Sequence, residues 1–113
     1  MQETAGGHNL LCSACYTPCP AAEAHVVPRW NPELRKVITA YRCGSCWLPS
    51  LAELRAVLRA GDGEVQQSFC DFLGRRGYER DAETLRSWPA GERLTGLLRI
   101  VDAVEDSTLV FDP

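Results

Sequence analysis

The sequence predicts an α+β fold in which a small β-hairpin module, stapled by paired cysteines, precedes a helical, bundle-like C-terminal half. Cys12-Ser-Ala-Cys15 and Cys43-Gly-Ser-Cys46 are two CxxC pairs with residues 16–42 between them. Two β-prone runs, 24–30 and 37–42, lie inside that interval on either side of the turn-forming segment 31–36. Beyond Cys46, apolar residues recur with the period of a helix that buries one face. The chain is thus expected to divide into a flexible polar N-terminus over 1–9, the cysteine-stapled module over 10–48, and a helical region over 49–113 packed on it.

Two residues between cysteines let both thiolates of a pair turn toward one ion at about 2.3 Å, and a second pair across a loop completes four sulfur ligands. Cys12, Cys15, Cys43 and Cys46 are the expected metal ligands. An all-thiolate set favours zinc, with iron as the alternative, so one structural Zn2+ is the expected cofactor. Because protein ligands fill all four positions, none stays open for water or substrate. Cys19, four residues beyond Cys15, is near enough in sequence to substitute for a ligand. His8 is read as a tail residue, and Cys70, far from both pairs, as a small buried apolar residue. Disulfides are not expected, since 1–7 is polar and no signal-like apolar run follows it. Metal-binding thiols then place the chain in the cytoplasm.

In chain order, the first cysteine pair is followed by Tyr16-Thr-Pro-Cys-Pro-Ala, which turns away under two prolines. Alternation in the first β-run sets Val26, Pro28 and Trp30 on one face and His25, Val27 and Arg29 on the other. In the second, Val37, Thr39 and Tyr41 alternate with Ile38, Ala40 and Arg42. Pro28 donates no ladder hydrogen bond, which predicts an edge or a bulge there.

Knuckle, hairpin, knuckle over residues 10–48 resembles the zinc-ribbon family, carried by CSAC, the hairpin and YRCGSC. That resemblance implies the fold and the metal. It implies no single function, because ribbons serve in transcription, translation, nucleic-acid enzymes and protein docking.

Past the second knuckle, Ser50-Leu-Ala-Glu53 reads as a capping box for a helix over 51–60 with Leu51, Leu54, Val57 and Leu58 inward and Gly61 as its stop. Asp62 would cap a second helix over 63–76 that buries Val65, Phe69, Phe72 and Leu73. A short helix over 81–88 would follow, capped by Asp81. Leu94, Leu97, Leu98, Val101 and Val104 predict a helix over 90–104, in competition with a β-hairpin over 97–111; residues 109–111 would be a short strand or an extended tail.

An apolar fraction of 45% supports a modest core. A ribbon of about 40 residues buries too little surface to stand alone, so its folding and metal binding should be one event. The formal charge is -3, and argues against a general nucleic-acid binder. Its distribution is uneven: 29–59 holds six basic and two acidic residues, 60–113 six basic and eleven acidic. No apolar run is long enough to span a membrane.

Three functional readings follow. The first is a non-enzymatic adaptor with a protein partner, using helices or ribbon tip, with Trp30, Tyr41, Trp88 and Phe111 as apolar residues to spare. The second is nucleic-acid binding by the hairpin, where Arg29, Arg35, Lys36 and Arg42 for phosphate interleave with Trp30 and Tyr41 for base stacking. The third is an enzyme: Cys12-x2-Cys15, Ala24-His25-Val-Val-Pro28 and Cys43-x2-Cys46 are similar to zinc-stapled HNH nucleases, which implies His25 as general base at a separate metal. The chain departs from that pattern at Ala24, where the family carries a metal ligand, and at Trp47, where Asn or His is usual. A small-molecule substrate is not expected.

Overall fold

A computed structural model describes residues 9–61 and 63–111; the expected flexible segment through His8 and the expected cap at Asp62 lie outside them. The first element was not anticipated from sequence. Asn9–Leu11 (β1) pairs antiparallel with Pro18–Pro20 (β2), Leu10 opposite Cys19. Flanking prolines leave Cys19 as the one N–H donor in β2, so the ladder is minimal.

A 3-10 turn over Ala21–Glu23 leads into the larger hairpin, His25–Asn31 (β3) against Lys36–Arg42 (β4), close to the expected spans. The register pairs Val27 with Ala40 and Val26 with Tyr41, as the alternation requires. Asn31 closes the turn: its Oδ1 accepts the backbone N–H groups of Glu33 and Leu34 at 2.9 and 3.0 Å. Pro28 sits opposite Thr39 without interrupting the strand.

Four helices follow, Trp47–Arg59 (α1), Gly63–Arg75 (α2), Glu79–Ser87 (α3) and Ala90–Glu105 (α4). The first begins four residues earlier than the capping box predicts. The Cys43 carbonyl accepts the N–H groups of Cys46 and Trp47, so the knuckle turn winds directly into helix. Ser50 then falls inside α1, and its hydroxyl accepts from Arg42 Nε at 2.5 Å instead of capping. Pro49 is tolerated because first-turn N–H groups have no intrahelical partner.

Gly61, at φ 83, closes α1 as expected. Gly77, at φ 94, ends α2 in a Schellman turn, with Tyr78 N–H on the Leu73 carbonyl at 2.9 Å and Gly77 N–H on that of Gly74 at 3.2 Å. Asp81 lies in the first turn of α3 and its N-cap is Tyr78, which corrects the expected cap. The α4 reading holds and the competing 97–111 hairpin does not: 109–111 is no strand, and Phe111 packs edge-on against Phe72 and Tyr78 at 5.3 and 5.8 Å between centroids.

One apolar cluster joins Val26, Val27, Val37 and Ala40 of the hairpin to residues of all four helices, including Leu54, Phe69, Leu85 and Val101. The outer edge of β4 is covered by α2, whose Ser68 hydroxyl accepts the Val37 N–H at 2.7 Å while Arg75 donates to the Val37 carbonyl at 3.0 Å. Arg55 ties α1 to α4 through Asp102 and Glu105 at 2.8 and 2.7 Å. Cys70 is fully buried in α2, as expected. No helix among the described residues is long and apolar enough to cross a membrane.

Candidate metal centre

The two hairpins and α1 meet at the cysteines. The first pair occupies the tip between β1 and β2, where Cys12 N–H bonds the Thr17 carbonyl at 3.1 Å, Tyr16 N–H returns to the Cys12 carbonyl at 2.7 Å, and Tyr16 adopts φ 61. The second pair joins β4 to α1. Ser13 docks one knuckle on the other, its N–H on the Tyr41 carbonyl at 3.0 Å and its hydroxyl on the same oxygen at 3.1 Å.

As a result the sulfur atoms of Cys12, Cys15, Cys43 and Cys46 all lie within 4.8 Å of one another. Those of Cys15 and Cys43 are 3.7 Å apart. Thiolates at about 2.3 Å from a shared tetrahedral ion stand about 3.8 Å from each other, so the cluster fits a four-coordinate metal. Among the described residues it is the sole group of three or more such ligands that converges. Cys19, buried in β2, is not part of it.

Burial opposes ionisation of Cys12, yet the backbone N–H groups of Cys15, Cys43 and Ala14 outweigh it and bring the thiol down to about 5. The Thr17 hydroxyl, 3.2 Å from Cys15 Sγ, and the Thr17 N–H lower Cys15. Cys46 is pushed up to about 12, first by its hydrogen bond with Cys43, then by burial and the neighbouring thiols. Sulfurs this close lose a first proton readily and resist losing the last; a divalent ion removes that resistance. Cys19 is raised by burial, then by the charges of Glu23 and the cluster.

The other sequence-derived residues scatter. His25 stacks on Trp47, ring centroids 4.2 Å apart and planes parallel within 1°. Arg29 and Trp30 are half-buried and line a cleft of about 240 Å3 with Ser50, Glu53 and Val57. Arg35, at the αL turn position, forms a two-pronged pair with Glu64 of α2. Lys36 is exposed, and Tyr41 half-buried. Arg42 is a correction to the set of surface cations: it is 4% exposed, with its guanidinium engaged by Ser13, Ser50 and the Tyr41 carbonyl. Its role was invisible in sequence because strand alternation gives a face and not what covers it. Of the four apolar residues to spare, Phe111 is buried and Trp30 and Tyr41 pack on the core; Trp88 remains exposed.

Comparison with family models, with curated proteins and with solved structures finds no match to this chain.

Proposed function

We propose that this chain is a small zinc-ribbon protein in which Cys12, Cys15, Cys43 and Cys46 hold one structural Zn2+, and that it acts by binding another protein. The observation that carries this reading is the closed set of four converging sulfurs. Soft thiolates favour zinc, and a saturated coordination sphere assigns the ion to architecture. Four reduced thiols suit a reducing compartment such as the cytoplasm.

Docking is supported by what surrounds the knuckles. Leu11, Tyr16 and Leu48 adjoin or lie within two residues of cluster cysteines and are 54, 71 and 44% exposed. Large apolar side chains held in water around a rigid centre suit a protein partner. Nucleic-acid binding has weaker support, since Arg42 is buried and Arg35 is paired, leaving Arg29 and Lys36. An HNH-like role has only His25, and its ring is stacked on Trp47.

The test is elemental analysis of untagged protein purified without added metal, then a salt titration of binding to single- and double-stranded oligonucleotides. One zinc per chain and no salt-sensitive binding is expected. Salt-sensitive binding lost in Arg29→Ala/Lys36→Ala would shift the reading to nucleic acid. A photo-crosslinker at position 16 should give a discrete protein adduct that Leu11→Ser/Leu48→Ser removes.

A further inference from the structure

Arg42 is buried, and no carboxylate among the described residues partners it. Among the described residues no acidic side chain lies within ion-pair distance of it, and its contacts are neutral: Nε donates to Ser50 Oγ at 2.5 Å, Nη1 to Ser13 Oγ and to the Tyr41 carbonyl at 3.2 Å. Glu53 lines the same cleft but is exposed and makes no ion pair with it. Arg55 shows the usual arrangement, with a side chain 17% exposed and two carboxylates beside it. A more deeply buried guanidinium with none needs a negative charge from elsewhere.

The adjacent source is the cysteine cluster. Four thiolates and one divalent ion carry a net charge of about -2. Arg42 directly precedes Cys43, Ser13 stands between Cys12 and Cys15, and Cys46 lines the cleft that Arg42 also lines. We propose that Arg42 is the internal counter-ion of the metal–thiolate cluster, offsetting its charge from between the two knuckles while its hydrogen bonds tie the first knuckle to α1. The inference rests on the metal reading of the preceding section.

The experiment measures zinc dissociation constants by competition with a chromophoric chelator for the wild type, Arg42→Met, Arg42→Lys and Ser13→Ala. Arg42→Met should bind zinc about 10–100-fold more weakly, the usual effect of removing an outer-shell partner of a metal site. Arg42→Lys, which keeps the charge, should stay close to wild type, and so should Ser13→Ala, which loses the two hydrogen bonds of its hydroxyl, to the Tyr41 carbonyl and from Arg42, but no charge. Titration with Co2+ reports whether the site in each variant is still tetrahedral and all-sulfur, so an unfolded knuckle is not mistaken for a lost counter-ion. An Arg42→Met affinity equal to wild type, or equal losses in Met and Lys variants with an intact Co2+ spectrum, would overturn the proposal. Failure of the wild type to bind one zinc would instead overturn the metal reading itself.

Discussion

The knuckle end and the helical end of this molecule are held by different forces. Over residues 11–18 the sole buried residue is Cys12, and order comes from short backbone bonds and converging sulfurs. At the helical end Leu51, Leu54, Phe69, Phe72, Leu73, Leu97 and Val101 are all 2% exposed or less. A pair of three-residue strands cannot support itself by apolar burial, whereas four helices against a hairpin can. The larger hairpin belongs energetically with the helices, because its Val26, Val27, Val37 and Ala40 sit in their core. What separates the two regions is therefore the source of their stability, and substitutions can separate them experimentally.

The largest effect should come from Cys43→Ser. Removing one sulfur of four should abolish stoichiometric metal binding and with it the order of β1, β2 and both knuckles, since structural zinc contributes on the order of 10 kcal/mol to such sites. The helical circular-dichroism signal should persist, except at the first turn of α1, which hangs from the Cys43 carbonyl. A variant that kept full metal, or one whose helices also melted, would erase the contrast between the two ends.

Phe69→Ala strikes the other side. Phe69 is fully buried and meets Phe72 edge-on at 6.2 Å. Its truncation should lower unfolding free energy by about 3–5 kcal/mol in chemical denaturation, while any protein still folded keeps its metal.

The contrast also explains what was legible in the sequence. Helices α2 and α4 could be read because Val65, Phe69, Phe72 and Leu97, Val101, Val104 repeat at helical spacing. The cysteine set could be read because ligand spacing is a local constraint. Pro18 and Pro20 hid β2, for two prolines around one cysteine look like a turn and become a strand only when Asn9–Leu11 lies alongside. Ser50 looked like a cap because the sequence does not show that Cys43 already serves the helix start, which frees the hydroxyl for Arg42. Arg42 itself reads as a surface cation until both knuckles are folded around it.

A smaller effect is expected where α3 meets α4. A Cβ added at Gly96 would stand 2.6 Å from Leu85 Cδ2 and 3.0 Å from Trp88 Cζ3. Leu85 is buried and has little room to swing, so overpacking of about 1–3 kcal/mol should outweigh the roughly 1 kcal/mol gained in helix propensity. Gly96→Ala should lower the denaturation midpoint modestly and leave metal content unchanged. A higher midpoint would mean that the seat of Trp88 is loose.

The smallest effect lies at the tip of the hairpin, where two opposing terms meet in one residue. Arg35 pairs with Glu64 of α2, but both side chains are largely exposed, at 65 and 42%, and such pairs contribute about 0–1 kcal/mol. Arg35 also holds φ 53, a left-handed conformation that costs a non-glycine residue about 1 kcal/mol. Arg35→Ala removes the pair and keeps that cost, so it should destabilise slightly. Arg35→Gly removes both, although glycine also enlarges the freedom of the unfolded chain. The glycine variant should therefore be at least as stable as the alanine one, with metal affinity equal in both, because the tip draws its stability from the helical end. An Arg35→Ala loss well above 1 kcal/mol would show that the contact with Glu64 anchors the hairpin to α2 more firmly than its exposure implies.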